Sequence, residues 1–280
     1  WPIVKRTVNA LKINYLWELI EHNSTEIVSD FALLKSTTYN NLNLMMSNVN
    51  GKLSPHAIVI GNLKNLYLGT DAEVEANVIL DLRTGPVYID NSVQIRGFSR
   101  IAGPAYIGKH TILENAYLSG GVSIGPECRI SGEVEASIFQ GYTNKHHYGF
   151  IGHAYIGEWV NLGAGTTNSD LKNNYSTVKV KLTHKQVDTE LLKVGCFIGD
   201  HTKTAIGTLI GTGTVIGVFC NITEPALKSK HFKNFYWAKN KRWQLDKAIT
   251  TAQVMMARRG VIMSLAYKDL IKKIYYQKTT

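Results

Sequence analysis

Two adjacent histidines, His146 and His147, stand in a polar decapeptide that reads QGYTNKHHYG over 140–149. Imidazole titrates nearest to neutral pH, so a histidine here can take a proton from an amine as that amine attacks a carbonyl, and later release it. An ammonium ion has no lone pair to attack with, which is why such a base is needed. A polar loop pair without chemistry is the plain alternative for these two residues. Other reactive side chains are sparse. Cys128, Cys196 and Cys220 are odd in number, with no C-x-x-C pair and no metal-like spacing to a histidine, so they predict no metal site and a reducing, cytoplasmic setting. Gly211-Thr212-Gly213 opens like a phosphate loop, but no Gly-Lys-Ser/Thr follows, and it reads as coil corners.

The element that must carry the histidines is visible as a period of six. Aliphatic residues recur at Ile89, Ile95, Ile101, Ile107 and Leu113, then at Leu118, Ile124 and Ile130. The series returns at Ile198, Ile210, Ile216 and Ile222 with Thr204 in the missing slot, and Leu68, Val74 and Leu80 form an earlier run. Mostly small side chains such as Ala105, Thr111, Cys196, Thr202 and Thr214 precede the aliphatics by two positions, and Gly commonly follows them. This period fits neither an α-helix nor one long strand. It fits short strands joined by tight turns, three to a coil, with the aliphatic pointing to the axis and each strand paired to the coils above and below. Gly after the aliphatic is expected where corners need backbone conformations that a Cβ would crowd. Two stretches break the period: 140–149 and a polar segment from about 169 to 193. A solenoid tolerates insertions as outside loops, so function is expected at these breaks.

Composition agrees with a folded chain. The 280 residues are 44% apolar and 19% charged, which excludes a wholly disordered or fibrous protein. The net charge of +10 is local: residues 225–280 carry thirteen Lys/Arg against two Asp/Glu, leaving 18 against 19 in residues 1–224. No apolar run approaches the ~18 residues of a membrane span, because Val254–Leu265 is broken by Arg258-Arg259.

The stretch NKHHYGFIGHAYIGEWVNLGAGTTNSDLKNN over 144–174 resembles the active-site region of hexapeptide-repeat sugar N-acetyltransferases. It is similar in particular to the C-terminal half of the bifunctional glucosamine-1-phosphate acetyltransferase and N-acetylglucosamine-1-phosphate uridylyltransferase family, and to its sugar nucleotidyltransferase-like bacterial relatives. The matching positions are His147, Ile151-Gly152, Ala154-Tyr155-Ile156-Gly157 and Asn161-Leu162-Gly163-Ala164-Gly165-Thr166. The resemblance implies an all-β solenoid, a left-handed parallel β-helix assembling as a homotrimer, with acetyl-CoA as co-substrate between neighbouring helices. That hand is an exception to the usual crossover rule. His147 falls on the family's base, Phe150 on an aromatic near the sugar amine, and Asn161 in the substrate-binding set. Three positions depart: Asp170 stands where an Asn is expected, Glu135 where a Lys would hold the sugar phosphate, and Asp200 where a Ser would help stabilise the oxyanion. Glu135 would repel a phosphate unless another cation compensates. Gly163, Ala164 and Gly165, with Asp200 and Val218, make up the implied cofactor-binding set, and Gly in that corner also suits coil structure alone.

The flanks extend the resemblance. Residues 14–34 carry apolar residues at helical spacing behind Asn14 as an N-cap, and Trp17 with His22-Asn23 fits a W-[DE]-L-[VI]-x-H-N pattern. This segment resembles the helix that follows the nucleotidyltransferase domain in longer relatives, or caps the open end of the solenoid. After Pro225 the period stops, and two helices are expected, one ending at Gly260 and one starting after Ser264. The expected division is 1–50 a helical linker or cap, 51–224 the acyltransferase β-helix, and 225–280 a basic helical segment. The opening Trp1, without Met, suggests a fragment from which a preceding domain is missing. Basic residues at the C-terminal end suit a collar for an anionic cofactor or a solvated face. The absence of a recognised module argues against nucleic acid as partner for the interleaved aromatics. The reading is an amino-sugar or sugar-phosphate N-acetyltransferase with His147 as base. The alternative is a catalytically diverged β-helix that trimerises or regulates a nucleotidyltransferase domain, favoured by the three departures.

Overall fold

The computed structural model describes residues 10–41, 49–238 and 241–277. Its body is a parallel β-helix with α-helical segments at both ends of the chain, as the period and the resemblance predict. Three ladders run the length of the coil. One flank starts with Lys52–Leu53, Glu73–Val74 and Gln94–Ile95 and passes through Asn144–Lys145 to Lys203–Thr204 and Asn221–Ile222. A second runs from Ile58–Ile60 through Ile79–Asp81 and Arg100–Ala102 to Phe150–Gly152, Thr167–Asn168 and Leu209–Ile210. The third stacks nine strands from Leu66–Leu68 to His231–Phe232. Ile112–Ser119 and Arg129–Glu135 turn a corner and serve the first two flanks.

The axis is filled as the six-residue period requires. Leu80, Ile101, Ile107, Leu118, Ile124 and Ile130 are wholly buried. The small residues two positions earlier close the coil's polar accounts: Thr111 Oγ1 donates to the Gly125 carbonyl at 2.9 Å, and Thr202 Oγ1 to that of Gly217 at 2.7 Å. Such bonds satisfy carbonyls that water cannot reach.

Glycine after the aliphatic has a different cause from the expected one. The left-handed backbone falls later, on non-glycine residues: Asp71, Ser92, His110, Glu127, Tyr142, Trp159, His201, Phe219 and Phe235, with φ between 52° and 60°. Gly125 instead leaves room for the next coil, since a Cβ there would lie 1.8 Å from the Gln140 carbonyl oxygen. These nine left-handed corners form one column. Its first four members are polar, and the rest stack as rings, Tyr142 on Trp159 at 4.2 Å, His201 on Phe219 at 4.5 Å and Phe219 on Phe235 at 5.0 Å. Burial pushes the His201 imidazole down to about 3, so it is a neutral member of this stack.

Four expectations need correction. The coil does not end at 224: Val215–Ile216 pairs with His231–Phe232, and Asn221 with Trp237. Large rings replace the aliphatics there, which hides the period. The break at 140–149 is not an outside loop, because Arg129–Ile130 pairs in register with Asn144–Lys145. The second break does leave the coil, as an antiparallel hairpin of Lys179–Lys181 with Gln186–Asp188. The N-terminal helix, α1 (Leu16–Asn41), lies lengthwise on the third flank rather than across an open end. Its Trp17 and Ile20 pack with Phe197, Ile138 and the hairpin's Val178 and Val180. Farther along, the Asn23 amide donates to the Gly121 carbonyl at 3.0 Å and accepts from Ser123 Oγ at 2.8 Å. At its start the Glu18 carboxylate accepts from the Asn14 backbone N–H at 2.6 Å, so Asn14 is capped by Glu18 rather than capping.

The C-terminal helices are α2 (Leu245–Ala257) and α3 (Leu265–Tyr276), with Ser264 Oγ accepting from the Tyr267 N–H as expected. They cover the aromatic end of the corner column through Ile249, Ala252, Ile271 and Tyr267, whose hydroxyl meets His201 Nε2 at 3.0 Å. Basic residues expected to form a free collar are partly spent on this packing. Arg242 lies over the Tyr275 ring at 3.8 Å, and Arg259 donates to Asn144 Oδ1 at 2.8 Å. Trp243 is buried in the same cluster, consistent with packing rather than base stacking.

The axial column and the coil exterior should respond differently to truncation. Ile156→Ala, at a position with no exposure, is expected to cost about 2–5 kcal/mol in urea unfolding. Ile206→Ala, 75% exposed, should stay within about 0.5 kcal/mol.

Candidate active site

The expected site residues divide between corners. His147 is exposed on the turn between Asn144–Lys145 and Phe150–Gly152, with its ring 5.4 Å from that of His146. The turn is tied down from inside the coil. Lys145 occupies the axial column, between Ile130 and Leu162 in register, where every earlier coil places an aliphatic. It is 2% exposed, and its ammonium donates to the carbonyl oxygens of Ser131 at 2.5 Å and His147 at 3.2 Å. Burial lowers its pKa to about 8, against the opposing pull of Glu133.

On the second flank the structure brings together Phe150, Glu135 and Asp170 with two residues that the sequence reading missed, His153 and Lys193. Register places Glu133 beside Phe150 and Glu135 beside Gly152. The Glu135 carboxylate, standing where a phosphate-binding Lys was expected, is paired with Lys193 Nζ at 3.0 Å. The Asp170 carboxylate, in place of the expected Asn, accepts from His153 Nδ1 at 2.8 Å. Burial alone would lift the Asp170 carboxyl, but the His153 hydrogen bond and the His153 and Lys193 charges outweigh it and hold it below its ordinary value. The compensating cation is thus Lys193, supplied by the polar insertion. His153 itself takes left-handed backbone, φ 47°, at a corner whose N–H donates to the Glu135 carbonyl at 3.0 Å.

The bare backbone of Gly152 lies at the centre of this group. A Cβ there would fall 2.4 Å from Phe150 Cζ and 2.8 Å from Asp170 Oδ2. Beneath it the ladder is completed by side chains: Asn168 Oδ1 accepts from the Gly152 N–H at 2.8 Å while its Nδ2 donates to the Gly152 carbonyl at 2.9 Å. Asn168, like Lys145, holds an axial slot, in register with Ile210.

Other expected residues lie elsewhere. Asn161 bridges Asn144 and Lys203 on the first flank. Gly163, Ala164 and Gly165 form the corner next to Tyr148. Gly163 is required by the approach of Ala205, whose backbone carbon would be 2.5 Å from a Cβ, and Gly165 by its φ of +74°. Ile206 and Leu209 leave an exposed apolar strip in the next coil there, 75% and 54% exposed. Asp200 stands at the far end of Tyr155–Glu158, where its Oδ1 accepts from the Glu158 N–H at 2.9 Å. Burial raises its pKa, partly offset by that bond. Asn91 and Asn234 make the same corner bond, to Thr70 and Val218, so the Asp200 contact belongs to the coil, with Val218 one corner farther along. The three cysteines are buried and free, and burial pushes each thiol up to about 12. Among the described residues no cluster of His, Cys, Asp or Glu has the geometry of a metal site, and no helix is long and apolar enough to cross a membrane.

A parallel β-helix built on hexapeptide repeats, with a histidine turn that leads into the strand carrying Phe150, can be set against known proteins. No protein-family model matches the chain. It is 33% identical over 98 residues to a bifunctional sugar-1-phosphate nucleotidylyltransferase/acetyltransferase of Sulfurisphaera tokodaii, covering 35% of this chain and 24% of that protein. It is 34% identical over 128 residues to a bifunctional protein GlmU of Methanocaldococcus jannaschii, covering 43% and 29%, and 30% identical over 163 residues to one of Sulfurovum, covering 53% and 37%. The chain therefore matches about a quarter to a third of the length of these curated relatives, and its resemblance to the bifunctional nucleotidyltransferase and acetyltransferase proteins is shown over that part. Among solved structures, a Francisella novicida UDP-N-acetylglucosamine acyltransferase aligns over 82% of this chain and 79% of its own, at 16% identity and a TM-score of 0.42.

Two measurements test the site as built. With its ammonium gone, Lys145→Met should leave the fold intact but speed amide hydrogen exchange over 146–149, because the His147 carbonyl loses its anchor. Ionised Asp170 adds stability above the ordinary carboxylate range that is lost as pH falls through its lowered folded value. The Tm gap between wild type and Asp170→Asn, clear at about pH 7, should therefore shrink toward about pH 3.

Proposed function

We propose that this chain is an acyltransferase β-helix that moves an acetyl group from acetyl-CoA to the amine of an amino sugar or amino-sugar phosphate. The observation that carries this is the placement of His147, on an exposed turn held from within by Lys145, which leads into the strand that carries Phe150 and has Glu135 paired beside its far end. The sequence relation to proteins named as acetyltransferases supports it. In this reading the amine attacks the thioester carbonyl directly, and His147 takes a proton from the nitrogen as the bond forms, then gives it to the departing thiolate. No acyl-enzyme is needed. The exposed strip of Ile206 and Leu209 beside the glycine corner is an apolar wall suited to an extended thioester arm or to a neighbouring subunit. Assembly as a homotrimer in the cytoplasm belongs to the same proposal.

Calorimetry with acetyl-CoA, combined with thiol release on a panel of amino sugars and their 1-phosphates, tests it. His147→Ala should keep acetyl-CoA binding and lose about 100-fold or more in turnover. No binding at millimolar acetyl-CoA would assign the chain instead to a scaffold that trimerises or regulates a nucleotidyltransferase domain. A monomeric mass in solution would remove an inter-subunit site.

A further inference from the structure

The C-terminal segment joins two properties that the acyl-transfer site does not use. Residues 225–280 hold thirteen Lys/Arg against two Asp/Glu, and the turn between α2 and α3, with the first residue of α3, carries Ile262 and Leu265, 92% and 81% exposed. These are the two most exposed large apolar side chains among the described residues. One aliphatic standing alone on a surface is ordinary, but two at one tip, inside the most basic part of the chain, match a partner that is anionic outside and apolar beneath. We propose that this tip docks on an anionic phospholipid bilayer, with Ile262 and Leu265 entering the interface and the neighbouring cations meeting lipid phosphates. In this arrangement the chain lies on the membrane and does not cross it. The proposal is independent of the acyl-transfer reading.

The tip is held at both ends. On the α2 side the Gly260 N–H donates to the Ala257 carbonyl at 2.9 Å and the Val261 N–H to that of Met256 at 3.0 Å. Gly260 takes left-handed backbone, φ 69°, which turns the chain out of the helix. On the α3 side Ser264 Oγ accepts from the Tyr267 N–H at 3.1 Å. Met263 packs on the cluster of Phe235, Ile249 and Ile271, while Ile262 beside it is left in solvent. Arg259, bonded to Asn144 Oδ1 at 2.8 Å, ties the turn to the coil. A tip ordered in this way gives up little conformational freedom when it docks.

The charge around the tip is available. Arg258, Lys268 and Lys273 take part in no ion pair among the described residues, and Lys272 is paired with Asp269 at 3.0 Å. Along α3, Tyr267, Ile271 and Ile274 pack on the body, which leaves Leu265, Leu270, Lys272, Lys273 and Tyr276 on the exposed side. This mixture suits the headgroup layer, where apolar side chains reach the acyl region and cations stay at the level of the phosphates. A nucleic acid would use the cations but gain nothing from aliphatic side chains, because its bases stack on rings.

The test is sedimentation of the full chain with vesicles of phosphatidylcholine, alone or with about one third phosphatidylglycerol. Wild type should sediment with the anionic vesicles, stay in solution with the neutral ones, and be released by about 0.5 M NaCl. The double variant Ile262→Ser with Leu265→Ser, shown folded by circular dichroism, should bind anionic vesicles about tenfold or more weakly. Lys268→Glu with Lys273→Glu should narrow the preference for anionic over neutral vesicles. Wild type that sediments with neither vesicle overturns the proposal. Binding that the double serine variant keeps in full also overturns it, since charge alone then accounts for it. So does a solution mass lower in that variant than in wild type, because the tip is then a contact between copies of this chain.

Discussion

Each coil must lay its backbone on the one beneath at the spacing of a β-ladder, about 4.8 Å. Everything else in the molecule answers to that distance. It leaves no volume for a Cβ at Gly125, and it forces the carbonyls sealed between coils to find partners such as the buried Thr111 and Thr202 hydroxyls. It also places residues one coil apart, seventeen between Val134 and Ile151 and twenty-one between Lys52 and Glu73, side by side. Chemistry on such a surface is assembled from neighbouring coils rather than along the chain.

That constraint explains how far the sequence could be read. The axial aliphatics repeat locally, so the solenoid and its long second insertion are legible from spacing. The last coil is not, because Phe232, in register with Ile216, does in bulk what an aliphatic at fixed spacing does elsewhere. His147 is legible within one continuous motif. The His153–Asp170 pairing is not, since its members are one coil apart: Asp170 reads only as a departure from an expected Asn, and nothing local marks His153 as its partner. The signal that finds them is the coil length itself: a histidine and a carboxylate seventeen residues apart in a β-helix are neighbours. Lys193 is harder still, because its link to Glu135 crosses an insertion whose path the period does not describe.

The charge departures change meaning once their partners are known. Glu135 and Asp170 looked like losses from a phosphate site. In the fold each has an internal counterpart, Lys193 and His153, so the flank is re-wired rather than stripped. Asp200 is the contrasting case, since its hydrogen bond is one that Asn91 and Asn234 also make, and it answers to the corner. Two polar side chains in the axial file, Lys145 and Asn168, bracket the re-wired region. Both hold backbone carbonyls near it, where an aliphatic would only fill space.

Laid along the third flank, α1 reaches the strands Ala105–Ile107, Val122–Ile124 and Tyr155–Glu158 at once. A bare solenoid is nearly one-dimensional, with each repeat feeling only its neighbours, and it can melt piecemeal. A helix fastened across several coils adds couplings between repeats that do not touch. Thermodynamically it acts as a splint, making the middle of the coil, where His147 and His153 sit, open as one cooperative unit while the stretch beyond its reach is free to fray.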